Sequence, residues 1–153
     1  MTKNASAKAL VAKALVDAAR EAMAHAHAPY SGFAVGAAVR LTDGRIVTGA
    51  NFENASYGLS LCAETVALAT VNSQGRLADV EAIAVAGGAD GAIVAPCGRC
   101  RQVMHEAEQI AGRPLPVYCA AASGEAMIEH SVSALLPYAF GPVDLGVTTK
   151  KRS

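Results

Sequence analysis

The chain has 153 residues, room for a single domain over residues 1–153 that buries a sizeable core and no room for a second. Hydrophobic residues make up 52% against 17% charged, which excludes a disordered chain and points to surface covered by other subunits. The formal charge is zero, so nothing draws the chain as a whole to phosphate backbones, and a small neutral substrate fits better than nucleic acid.

Leu10, Val11, Ala14, Leu15, Ala18, Ala22 and Met23 recur at three- and four-residue spacing and predict an amphipathic helix from about Ser6 to His27. Ala28-Pro29-Tyr30-Ser31-Gly32 ends it. His25 and His27 then fall in its last turn, where an imidazolium suits the helix C-terminus. Phe33 to Leu41 and Arg45 to Asn51 flank Thr42-Asp43-Gly44, and Asp-Gly between two such runs predicts an antiparallel hairpin. Asn51-Phe52-Glu53-Asn54 leaves the second strand. Its polar side chains either face the site described below or serve as turn chemistry, and the residues leave both open.

Leu61 to about Gln74 reads as a second helix, closed by Gly75 in the position a C-cap glycine prefers. Val80 to Ala86 is a short apolar strand. Residues 87–91 form a turn and not a phosphate loop, since no Gly-x-x-x-x-Gly-Lys-[Ser/Thr] is present. A third helix runs from Pro96 to about Ala111 and ends at Gly112-Arg113-Pro114. Val117 to Ala121 and Ala126 to His130 are two more strands about Ser123-Gly124, with Cys119 as core filler. The basic tail Lys150-Lys151-Arg152-Ser153 reads as a solvated end. Together these elements predict an α/β fold, a three-layer α/β/α sandwich with a mixed sheet of about five strands whose order stays open. The N-terminus lacks the uninterrupted apolar core of a signal peptide and no apolar run approaches a membrane span. The expectation is therefore a cytoplasmic, reduced protein with no membrane partner.

The chemistry is carried by Leu61-Cys62-Ala63-Glu64 and Pro96-Cys97-Gly98-Arg99-Cys100. Asn54-Ala55-Ser56-Tyr57-Gly58 punctuates the first, and Pro96, at a favoured first-turn position, opens the second, so each motif reads as a helix N-terminus. Unpaired N–H groups and the partial positive charge there favour thiolate, the form a metal binds. Cys97 and Cys100 converge on one ion across a turn, and Cys62 adds a third ligand. Three protein ligands leave a fourth position for water, the arrangement of a catalytic zinc. Glu64, two residues past a ligand, can lie beside that water and carry protons without ligating. His105 and His130 are also ligand types, but three thiolates already account for the site.

The order Cys-x-Glu, then Pro-Cys-x-x-Cys, is the signature of zinc nucleobase deaminases. With Ala28-Pro29-Tyr30-Ser31-Gly32-Phe33-Ala34-Val35-Gly36, Asn51-Phe52-Glu53-Asn54, Leu135-Leu136-Pro137 and Phe140-Gly141-Pro142 added, the chain from about Ala14 to Leu145 resembles the small zinc-dependent cytidine deaminases of pyrimidine salvage, in their all-cysteine, homotetrameric branch. The resemblance implies a Zn2+ cofactor and hydrolytic deamination of cytidine or 2'-deoxycytidine, with Glu64 as the proton carrier. It implies that Asn51 and Glu53 hold the sugar 3'-hydroxyl, that Phe33 lines the pyrimidine pocket and that Ala63 offers backbone contacts to the base. It also implies a homotetramer with shared active sites, in which Tyr57 helps build the common wall and Phe140 stacks on substrate in a neighbouring subunit.

Relatives with blasticidin S deaminase activity also look like this around Pro-Cys-Gly-Arg-Cys, so a modified cytidine or an aminonucleoside antibiotic is the alternative substrate. A structural zinc module is the rival of another class and would need a fourth protein ligand, for which Cys119 is the spare thiol. In one respect the chain departs from many relatives, which carry Arg directly after the catalytic Glu where this chain has Thr65. Zinc with three thiolates has a net charge of about minus one, so a compensating cation is expected, and Arg99 is the candidate to hydrogen-bond a thiolate in its place.

Overall fold

The computed structural model describes residues 3–88 and 91–147. The basic tail and residues 89–90 of the glycine turn lie outside them.

Five strands form one mixed sheet: β1 (Val35–Leu41), β2 (Ile46–Ala50), β3 (Val80–Gly87), β4 (Pro116–Ala121) and β5 (Met127–Ser131), in the order β2-β1-β3-β4-β5. β1 pairs antiparallel with both β2 and β3, β3 runs parallel to β4, and β4 is antiparallel to β5. The three central strands are buried along nearly their whole length, which is why they read as almost unbroken apolar runs in the sequence. Alternate side chains go to opposite faces. Ala37, Val39, Leu41, Ile83, Val85, Val117 and Cys119 pack under α2 (Ala63–Ser73) and α3 (Gly98–Ala111). Ala38, Ala82, Ala84, Ala86 and Ala120 face α1 (Lys3–Ala22), which answers with Ala12, Leu15, Val16 and Ala19. The α/β/α sandwich with five mixed strands is thus the observed fold. Fully buried side chains such as Leu15, Ile83 and Met104 each contribute about 1.5–3 kcal/mol relative to exposure.

The alanine-rich face lets α1 sit close to the sheet. At Gly36 a Cβ would lie 1.9 Å from the Ala19 carbonyl oxygen, so only glycine allows this approach. The first helix is shorter at its C-terminal end than its periodicity predicts. It stops at Ala22, a 3-10 turn spans Met23–His25, and His27 lies beyond both. His27 is drawn off by strand-like pairing: its amide donates to the Asn51 carbonyl at 2.9 Å, and its carbonyl accepts from the Glu53 amide at 2.8 Å. The expectation that both histidines occupy the last helical turn is corrected accordingly.

The hairpin forms where Asp43-Gly44 predicts it, with Gly44 at φ 87 and the Asp43 carboxylate accepting from the Arg45 amide at 3.0 Å. Gly112 caps α3 in the left-handed conformation at φ 64. A four-residue helix α4 (Val132–Leu135) follows β5 directly and is too short for a periodicity signal. No helix among the described residues is long and apolar enough to cross a membrane.

Candidate active site

The strand exit that leads to the first motif folds back on itself. Phe52 and Leu61 exchange both backbone hydrogen bonds at 2.9 Å, pinning the ends of the loop between them. Cys62 follows at once as the N-cap of α2, with extended backbone at φ −75 and ψ 153. The helix therefore begins at Ala63 and not at Leu61, because Leu61 is committed to a β-bridge. In the second motif Cys97 is the N-cap of α3, and Pro96 stands before the cap instead of in the first turn. The Pro96 carbonyl accepts from Arg101 Nε at 2.7 Å, and Arg101 Nη1 reaches the Leu135 carbonyl at 3.1 Å, tying this turn to α4.

The two helices meet at their caps. Cys62 Sγ lies 3.8 Å from Cys97 Sγ, and with Cys100 the three sulfurs lie within 4.8 Å of one another. Two sulfurs bound to one tetrahedral zinc at about 2.3 Å would be about 3.8 Å apart, so the observed spacing fits this ion. All four cysteines are free thiols. Among the described residues no fourth ligand joins the group: Cys119 is buried in β4 within the core, and His105 is engaged with Gln109 at 2.9 Å. A closed, four-ligand structural site is not what these residues build.

Glu64 is buried, only 4% exposed, and is the one buried charged residue among those described. Its carboxyl is raised above the ordinary range chiefly by that burial, with its own backbone amide and the Cys100 thiol acting in the opposite direction. A carboxyl kept dry beside a metal site without an ion-pair partner is costly for folding and useful for moving protons. The thiols are unequal: the Cys62 thiol is pushed down to about 6, first by its hydrogen bond with Cys100, while Cys100 is pushed up by that bond and by burial.

The expected hydrogen bond from Arg99 to a thiolate does not form. Arg99 Nη1 donates instead to the Ser60 carbonyl at 3.2 Å, so the guanidinium acts on Cys62 only through its charge, at a distance. The arginine is exposed at the second position of α3, and a nearby loop carbonyl is its accessible acceptor. It is Thr65 whose hydroxyl lies 3.7 Å from Cys100 Sγ.

Above the sulfurs opens a cleft of about 460 Å³, lined by Phe33, Asn51, Glu53, Cys62, Ala63, Glu64 and Cys97 among others. Asn51 and Glu53 both point in, while Phe52 between them packs its ring on His27 at 5.7 Å. The Asn51 amide also clamps the loop before β1, accepting from the Val35 amide and donating to the Phe33 carbonyl, each at 2.9 Å. The Glu53 carboxylate accepts from the backbone amides of Tyr30 at 2.9 Å and Ser31 at 3.1 Å, and from the Ser31 hydroxyl. These donors, the hydroxyl first, hold its carboxyl below the ordinary range. Tyr57 is 73% exposed and lines an adjoining pocket with Tyr30, Ser31, Glu53 and Ser60, its ring 5.6 Å from that of Tyr30. Phe140 is 61% exposed and does not line its own chain's cleft.

Several cleft residues carry no signal in the sequence. Val94 and Ala95 belong to an apolar loop, Ser60 precedes the motif, and Ser31 reads only as part of a helix terminator. Nothing local to Ser31 announces that its hydroxyl is spent on a carboxylate 22 residues away.

Two helix N-termini presenting three thiols beside a buried carboxylate, under a cleft of small-molecule size on an α/β/α frame, define the class of zinc-dependent deaminases. Residues 11–112 match the family described as the cytidine and deoxycytidylate deaminase zinc-binding region, and the chain belongs to that family. It is 46% identical to a cytidine deaminase of Halalkalibacterium halodurans, over 86% of this chain and 95% of that one. It is 43% identical to a cytidine deaminase of Mycobacterium tuberculosis, over 83% and 87% respectively. Among solved structures, the cytidine deaminase of Burkholderia pseudomallei superposes with a TM-score of 0.75 at 46% identity, covering 84% of this chain and 98% of that one.

Proposed function

We propose that the protein hydrolyses cytidine or 2'-deoxycytidine to the corresponding uridine and ammonia. The observation that carries this reading is the buried Glu64 carboxyl at the floor of the cleft, next to the three thiols. Cys62, Cys97 and Cys100 would hold zinc, which, when bound, supplies a Lewis acid that eases ionisation of a water at neutral pH. Glu64 takes the proton of the attacking water, delivers it to ring N3 as C4 is attacked, and then helps protonate the departing amine. Burial suits it to both roles, since a carboxyl shielded from bulk water passes its proton to substrate and not to solvent.

Glu53 is presented to the cleft as an ionised acceptor for a sugar hydroxyl, with Asn51 beside it, and Phe33 and Ala63 form wall against the base. The zero net charge and a carboxylate in the cleft favour a neutral nucleoside over a polynucleotide. In this reading the working form is a homotetramer, with Phe140 and Tyr57 completing sites across subunits. Their exposure, and the absence of Phe140 from its own cleft, support it. Four free thiols suit a reducing compartment such as the cytoplasm.

The test is an ultraviolet assay of cytidine with and without a zinc chelator, followed by zinc readdition. Turnover that disappears with the metal and returns with it is expected. A stoichiometrically zinc-loaded protein that leaves cytidine and deoxycytidine untouched would overturn the proposal.

A further inference from the structure

We infer that Thr65, and not Arg99, is the positioning residue for the metal site: its hydroxyl donates to the Cys100 thiolate and so sets how firmly zinc is held. The inference rests on the reading of Cys62, Cys97 and Cys100 as the ligands. Thr65 is the third residue of α2, and its Oγ1 lies 3.7 Å from Cys100 Sγ, within reach for a sulfur acceptor. A second threonine on the same helix shows the ordinary alternative. Thr70 turns its hydroxyl back onto the Val66 carbonyl at 2.8 Å, the local bond that helical threonines commonly make. Thr65 makes no such bond and aims across to the other helix instead.

Cys100 is the sulfur that most needs a donor. Cys97 is exposed and Cys62 partly so, which leaves water within reach of both sulfurs. Cys100 is fully buried, cut off from the water that could otherwise solvate a thiolate. Among the described residues, the Thr65 hydroxyl is the one hydroxyl hydrogen-bonded to any of the three sulfurs. A hydroxyl is neutral, so it polarises toward one thiolate and leaves the overall charge of about minus one in place, unlike a guanidinium. Arg99 spends its hydrogen bond on the Ser60 carbonyl instead.

The test compares Thr65→Val, which keeps the shape and removes the hydroxyl, with Thr65→Ser, which keeps the hydroxyl. Zinc release is followed under chelator challenge, and the sulfur-to-cobalt charge-transfer band is recorded on the cobalt(II)-substituted proteins. Partners of metal ligands are typically worth about 10- to 100-fold in metal affinity, so Thr65→Val should hold zinc at least about tenfold less tightly. Its charge-transfer band should move to lower energy, because a thiolate without a donor gives up an electron more easily. Thr65→Ser should stay within about threefold of the parent, and Arg99→Ala should lose less than Thr65→Val. If the valine variant packs badly, Thr65→Ala carries the same expectation for the cobalt band. A valine or alanine variant with parental zinc retention and an unmoved band overturns the inference, as does a serine variant that loses as much as valine. A parent chain that binds no zinc overturns the ligand reading itself, and is seen before any variant is made.

Discussion

Gly49 of β2 lies directly against Ala63 of α2: a Cβ built on Gly49 would stand 2.6 Å from the Ala63 carbonyl oxygen and 2.5 Å from the Ala67 amide nitrogen. The helix that carries Glu64 and is capped by Cys62 therefore rests backbone to backbone on the sheet. Gly49→Ala would force the first turn of α2 outward. Overpacking of this kind costs about 1–3 kcal/mol, a fall in Tm of a few degrees for a chain of this size. The catalytic effect should be larger, since a misplacement of about 1 Å can cost about 100-fold in rate. Melting curves and kcat/KM on the zinc-loaded variant check both. Full activity would mean that the seat of α2 does not set the position of Glu64.

Glu64→Gln keeps the volume and hydrogen-bonding capacity of the buried side chain and removes its proton chemistry. Zinc content should be unchanged while kcat falls by about 100- to 10,000-fold, the range of a general acid–base contribution. Metal analysis and steady-state kinetics decide it. Near-parental turnover with zinc in place would remove Glu64 from its role.

In the proposed reading, where Glu53 accepts from a sugar hydroxyl, Ser31 acts on substrate through Glu53. Removing the hydroxyl in Ser31→Ala leaves the Tyr30 and Ser31 amides on the carboxylate, so the loss should be modest, about three- to tenfold, and should fall on KM and not on kcat. The pH dependence follows the same contact. The Glu53 carboxyl is held below its ordinary value of 4.5, so the ionised acceptor persists above that value and is lost only as pH falls through the lowered one. In Ser31→Ala the acid rise in KM should move up in pH toward 4.5. Acid loss of metal would lower kcat instead, so KM profiles of the two proteins separate the effects. Superimposable profiles would show that Ser31 does not tune Glu53.

Phe140 is positioned for a neighbour if the shared-site reading holds. A Glu64→Gln chain and a Phe140→Ala chain, mixed after dissociation and reassembled, should then show more activity than either parent, because some sites regain both residues. Hybrid oligomers verified by mass and no more active than their parents would exclude the sharing.

The sequence shows most of what depends on neighbours along the chain. The spacing of Cys97 and Cys100 follows from one helical turn, the hairpin from Asp43-Gly44, the ends of α2 and α3 from Gly75 and Gly112, and the strands from apolar runs. Its errors cluster where distant backbone competes with local preference. Periodicity carries the first helix on to His27, but pairing with Asn51 and Glu53 takes that residue into a bridge. Leu61 is apolar and precedes a helix, yet it closes the loop with Phe52.

By itself, then, the sequence determined the donor set and the reaction class, because thiol, carboxyl and helix-terminal chemistry are properties of residue types at fixed short spacing. Only the tertiary structure decided which groups tune them. Cys62 meets Cys97 across 35 residues, Ser31 grips Glu53 across 22, and the hydroxyl on Cys100 belongs to Thr65 while Arg99 turns to Ser60. These contacts are set by strand order and by how closely α2 rests on β2 at Gly49. Both depend on packing over the whole sheet, which leaves no periodic trace in any local stretch of residues.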